Sequence, residues 1–252
     1  MTLCDLALCQ KAWKESRVRF AIMVLALAWI CAAIVLLQRI ASARSDESMS
    51  YAQFIWKAVY RGAVRDLFTI LAMLLGLGGL LQEQAKGTAG FTLALPVSRK
   101  RMVAARAVVG LAEVAFLSFI PAILLPLLSP LVNESYPLGA ALTFGVLWTA
   151  GGSILFAATF LLSAVLAGEY TPWIVCTASL VAYMLLVSLW PLSLLPSLNF
   201  LQVMNGVGMP WFREAKYALV GPAPILPIAV MGLAAAFFIW AAGAVTESRD
   251  FS

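Results

Sequence analysis

Residues 20–37 read FAIMVLALAWICAAIVLL, an uncharged apolar run with neither glycine nor proline in it. A helix needs about 20 such residues to cross the ~30 Å hydrocarbon layer of a bilayer. A run that does not alternate polar and apolar positions is not a strand of a membrane barrel. Comparable runs recur near residues 67–81, 107–128, 138–166, 173–189 and 225–244, and only 12% of the chain is charged, about half the ~25% usual in soluble domains. The pattern predicts an all-α integral membrane protein with six transmembrane helices, because only helices satisfy their own backbone groups in lipid one segment at a time. No polar stretch is long enough for a second, soluble domain, so residues 1–252 form one membrane domain.

The second run is short for a span. Fifteen residues at 1.5 Å rise reach only about 22 Å, so this helix is expected to begin earlier, over about 64–81. Residues 1–19 precede the first span as a polar arm in which Leu6, Cys9, Trp13 and Phe20 fall on one helical face and Lys11, Glu15 and Arg19 on the other. Leu8 and Arg17 interrupt that pattern. The arm fits an elbow helix lying in the headgroup plane, with Trp13, Lys14 and Arg17 as its candidate functional residues; a solvated basic leader is the alternative. With no small-residue cleavage site after it, the first run is expected to stay as a membrane anchor.

Basic residues set the orientation. Lys11, Lys14, Arg17, Arg19, Lys86, Arg99, Lys100, Arg101, Arg106 and Arg249 lie on the side of the termini, against Arg39, Arg44, Lys57, Arg61, Arg65, Arg213 and Lys216 on the other. The excess and the N-terminal cluster put both termini in the cytoplasm. The net charge of +5 then belongs to topology and anionic headgroups and not to nucleic acid. Zero histidines remove histidine-based triads and zinc sites. Cys4, Cys9, Cys31 and Cys176 contain no CxxC pair and read as reduced thiols.

The remaining connections carry their own signals. Asn133-Glu134-Ser135 is a formal glycosylation sequon, which matters only on a eukaryotic secretory route. Gly168-Glu169-Tyr170-Thr171-Pro172 predicts a tight turn between spans, with proline in the first helical turn. Residues 190–221 are apolar but broken by prolines, glycines and asparagines, the pattern of an extracytoplasmic re-entrant or interfacial segment. Within it, Trp211–Leu219 is expected to be a short helix anchored by Trp211, Phe212 and Tyr217.

Between the second and third spans stands QEQAKGTAGFTLALPVSRKRM, residues 82–102. Gly87, Phe91 and Leu95 recur at four-residue steps with Thr88 beside them. Pro96 stops that helix, and Ser98 can cap the next, whose first turn carries Arg99, Lys100 and Arg101. Two readings fit: a short amphipathic helix that docks into a partner's groove, or a loop whose bases only set topology.

The order Glu83, Gly87-Thr88, then Leu95-Pro96-Val97-Ser98-Arg99 after a glycine-rich apolar run resembles the cytoplasmic loop of type-2 ABC-transporter permeases. Gln82 and Gln84 depart from that pattern, standing where members often carry further charges. The resemblance implies that residues 82–98 are a coupling helix, with Glu83, Gly87, Thr88, Phe91, Leu95, Pro96, Val97, Ser98 and Arg99 meeting a separate ABC ATPase subunit. It implies an exporter subunit without catalysis of its own, working with a second permease copy or a related one among the lipids of a bacterial cytoplasmic membrane. No cofactor is expected in this chain; ATP and Mg would belong to the ATPase. Consistently, no G-x-x-x-x-G-K-[ST] loop occurs, and Gly76-Leu77-Gly78-Gly79, embedded among leucines, reads as a site of close helix packing.

Glu113 is the one ionisable residue well inside a predicted span. An acid at mid-bilayer costs ~2.5–3.5 kcal/mol on insertion scales. It lines a substrate path or gate, or it pairs with Arg106 or reaches interfacial water. Three other classes compete with the exporter: an ABC-type assembly machine that does not transport, an ion-coupled carrier, and a membrane enzyme. The last needs clustered acids or Ser/Lys pairs in the spans, where only Glu113 is found.

Overall fold

A computed structural model of the chain describes residues 3–42, 50–78, 97–189, 199–206, 212–213, 218–219 and 224–248. Nearly all of them are helical. The elements are α1 (Leu3–Ser42), α2 (Tyr51–Ile55), a π turn (Trp56–Tyr60), α3 (Ala63–Leu75), α4 (Arg99–Leu128), a 3-10 turn (Ser129–Val132), α5 (Leu138–Val165), α6 (Thr171–Leu189), α7 (Phe200–Asn205), strands β1 (Phe212–Arg213) and β2 (Ala218–Leu219), and α8 (Ile225–Ser248).

Among the described residues, four helical stretches are long and apolar enough to cross a membrane: Leu6–Gln38, Arg99–Val132, Leu138–Val165 and Ile225–Ser248. The apolar helix Thr171–Val187 is shorter, and α3 has 13 residues, about 20 Å of helix. The second apolar segment is therefore assembled in pieces. Ser50 caps α2 by accepting from Gln53 N (3.3 Å), the π turn follows, and the chain breaks at Arg61-Gly62 before α3.

Ring contacts and close approaches give the helix directions. Ser16 meets Glu113 and the rings of Phe20 and Phe116 lie 5.6 Å apart, so α1 and α4 run parallel. In α5, Gly145 packs on Phe119 and Phe156 on Gly110, so α5 opposes α4. Tyr60 stacks on Phe144 with centroids 3.9 Å apart, and Phe68 on Trp148 at 5.0 Å, which aligns α3 with α5. α8 returns with Glu247 against Lys100 in the first turn of α4. The molecule thus has one face where α1, α4 and α6 begin and α3, α5 and α8 end, and an opposite face holding α2, α7 and the strand pair.

The core sits where α3, α4 and α5 cross, among fully buried Phe68, Leu117, Phe144, Leu147, Trp148 and Phe156. Gly152 makes that crossing possible: a Cβ there would lie 2.7 Å from Phe68 Cζ and 2.9 Å from Val114 Cγ1. At the opposite face the Tyr51 hydroxyl meets Ser129 Oγ at 2.6 Å, and Ser129 in turn donates to the Leu125 carbonyl at 2.6 Å. This pins α2 to the end of α4. Outward-facing Leu25, Trp29, Phe116, Leu185, Leu233, Phe237 and Trp240 are exposed, as lipid-facing positions are.

Three expectations change. The elbow and the first span are one uninterrupted helix of 40 residues; no proline or glycine occurs anywhere in it, so nothing turns the chain near residue 19. Leu6 and Trp13 of the arm are exposed, while Ser16 is buried, which shifts the inward face from the one expected. The third and sixth helices reach past their apolar cores, to Arg99 and Ser248. Finally, within the expected helix Trp211–Leu219 the described residues are strands, Phe212 pairing with Leu219 and Arg213 with Ala218 in an antiparallel ladder. Strand pairing satisfies these backbone groups without the ~12–15 residues that an isolated helix needs for stability.

Candidate functional site

The face where α4 begins gathers polar groups that the apolar periodicity would not place together. Glu113 lies midway along α4 and is 3% exposed. The Ser16 hydroxyl of α1 donates to Glu113 Oε1 and is also within 3.2 Å of the Ala12 carbonyl. The charges of Arg19, one turn further along α1, and of Arg106, two turns back on α4, both act on the same carboxyl. Arg19 reaches across as well, its Nη2 donating to the Leu77 carbonyl at 3.5 Å.

Leu77 belongs to the last described residues before the insert. Gly76 packs so closely on α5 that a Cβ would lie 2.5 Å from the Phe156 carbonyl oxygen, and its own carbonyl accepts from Ser163 at 3.2 Å. Gly78 has φ +129°, a left-handed value that L side chains rarely adopt, and the Arg106 guanidinium occupies the space a Cβ would need. Gly76 and Gly78 are thus packing sites. They bring the chain, just before the insert, against Arg106 and Arg19.

The other root of the insert is α4 itself. Ser98 occupies the N-cap position: its carbonyl accepts from Arg101 N at 3.0 Å, while its side chain makes no cap bond. Arg99 opens the helix, and Val97 is half-buried. Lys100 pairs with Glu247 at 2.7 Å, with both side chains more than half exposed. Such an exposed pair is worth under about 1 kcal/mol, so Glu247→Gln is expected to leave the melting temperature in detergent almost unchanged.

Of the residues singled out from sequence, Glu83, Gly87, Thr88, Phe91, Leu95 and Pro96 lie outside the described residues. Lys14 and Arg17 are exposed on α1, and Trp13 stands edge-on to Phe20 at 5.5 Å. Glu113 sits in the cluster. Ser16 had no signal in the sequence, and Arg19 was assigned to the polar face of an elbow. Among the described residues no three Cys, Asp or Glu side chains converge to hold a metal, and Cys9, Cys31 and Cys176 are free thiols.

Neither a scan against models of known protein families nor a search of curated proteins finds a match to this chain. Chemically, the cluster is a clamp. It ties the first helix to the Leu77 carbonyl just after α3 through Arg19 and to the Glu113 carboxyl of α4 through Ser16, and α3 and α4 are the roots of the insert.

Proposed function

We propose that this chain is the permease subunit of an ATP-driven exporter of the ABC type, forming the translocation path as a dimer. On this reading it crosses the cytoplasmic membrane six times, with α3 and α6 as the short crossings and both termini inside. Residues 82–98 are the handle by which a separate ATPase moves the membrane helices. The observation that carries the reading is the anchoring of both ends of that insert: Leu77 is held by Arg19, Gly78 is covered by Arg106, and Arg99 starts a 30-residue helix. A push on the insert would therefore pass to α3 and α4 as rigid bodies. The alternation of helix directions supports the same topology, since Gly78 and Val97, the described residues on either side of the insert, lie toward the face where α1 begins and α8 ends.

The test is a substitution in the handle that leaves the membrane helices alone. Pro96→Leu and Gly87→Trp are expected to abolish co-purification of an ABC-type ATPase, identified by its own Walker sequence, from membranes in which the wild-type chain retains it. ATP-driven export should fall with it. Retention of the ATPase and of export by both variants would overturn the coupling role.

A further inference from the structure

The opposite face holds a second polar site, unrelated to the insert. A cavity of about 390 Å³ opens between the start of α3, the last turns of α6 and the short helix α7. That volume lies within the ~300–1,000 Å³ of small-ligand sites. Two cations border it. Arg61 lies 5.5 Å over the Trp56 ring, and Arg65 donates from Nε to Asp66 Oδ1 at 2.9 Å. With Asp66 partly neutralising Arg65, the mouth keeps a net positive charge.

Asn205 gives the site its selectivity. It is 6% exposed and lines the cavity, and its side-chain oxygen has no hydrogen-bond partner. Its position is fixed: the Trp56 indole N–H donates to the Asn205 carbonyl at 3.1 Å, and Gly206 then turns the chain away in the left-handed region. The neighbouring Asn199 is used up as the cap of α7, accepting from Gln202 N at 3.2 Å. A buried acceptor left unpaired is costly, so a ligand that donates to it is favoured over one that does not. The same wall continues through Met184, which is 43% exposed, onto the exposed Leu185 and Leu186 of α6.

We propose that this cavity binds a phosphoester headgroup bearing an N–H or O–H donor, as in phosphatidylethanolamine or phosphatidylglycerol. The phosphate sits on Arg61 and Arg65, the donor reaches Asn205, and the acyl chains leave along α6. Arginine suits the first role because its planar fork matches phosphate oxygens. Choline offers no such donor, so phosphatidylcholine is disfavoured although its phosphate is the same. The proposal does not depend on an ATPase partner.

The experiment titrates the full-length chain in a neutral detergent with short-chain phosphatidylethanolamine, phosphatidylglycerol and phosphatidylcholine, and with glycerol 3-phosphate as the headgroup without tails, reading bound ligand by native mass spectrometry. Phosphatidylcholine is expected to bind about tenfold more weakly than the two donor-bearing lipids, the loss of one buried hydrogen bond. Asn205→Ala should erase that difference, and Arg61→Gln should weaken all three lipids together; both variants should melt as the wild type does without lipid. Glycerol 3-phosphate binding as tightly as the lipids would keep the site and assign it to a soluble phosphoester, whereas binding only of tailed ligands assigns it to the membrane. Equal binding of all three lipids, or no effect of either substitution, would overturn the proposal.

Discussion

Arg19→Met is expected to destabilise the protein by about 1–2 kcal/mol, because it removes the hydrogen bond to the Leu77 carbonyl and one of the positive charges acting on the Glu113 carboxyl. Glu113 keeps the Ser16 hydroxyl and the charge of Arg106, at a position almost closed to solvent. The melting temperature in detergent should fall by a few degrees. The informative comparison is Arg19→Met combined with Glu113→Leu. Replacing a buried acid together with one of its cations by apolar residues of similar volume is often neutral or better, Arg106 stays in place, and Ser16 retains the Ala12 carbonyl as an acceptor. The double variant should therefore recover most of the lost stability. If the two changes simply add, Glu113 is not what Arg19 compensates. If the cluster transmits force from the insert, the recovered double variant will still fail in ATP-driven export, which separates its structural from its functional role.

Gly152→Leu is the second large effect. The new side chain would enter a space already filled by Phe68 and Val114, at the point where α3, α4 and α5 meet. Adding methylenes to a packed core costs about 1–3 kcal/mol. Here it also separates helices in lipid, where small residues are what allow close approach. Loss of a monodisperse peak on size exclusion, or a large drop in melting temperature, is the expected result. Gly139→Leu is the matched control, because nothing lies within 4 Å of a Cβ at that position. Equal behaviour of the two variants would contradict the crossing described above.

The helical membrane class was legible because uncharged runs have one physical solution in lipid, and α5 begins at the Leu138 that marked its run. Glu113 could be flagged from sequence because an acid inside an apolar run is costly on its own. Ser16 could not be. Its hydroxyl has a local acceptor on α1, as any helical serine does, and its partner lies 97 positions away. The unbroken α1 is hidden for a different reason: the change from polar to apolar composition near residue 19 looks like a turn, although no residue there breaks a helix. The Arg61-Gly62 break depends on its glycine, since a Cβ at position 62 would lie 2.5 Å from the Lys57 carbonyl oxygen. Asn205 reads as one more break in a broken segment, and only the Trp56 contact from a distant helix makes it a fixed acceptor.

The short α3 has a consequence for the order in which the molecule is made. Its buried face, with Phe68, Leu71 and Met73, packs mainly on α5, and the bond that seats its end, Ser163 to Gly76, joins residues 87 positions apart. The ribosome therefore finishes α3 long before its cradle exists. Until α5 emerges, this brief segment, with Arg65 and Asp66 at its head, has α1 beside it but lacks both the length to hold the bilayer and the Trp148 wall on which Phe68 stacks. Its docking on α5 must also close a long loop. The expected consequence is that α3 settles when α5 arrives, not when α3 is made.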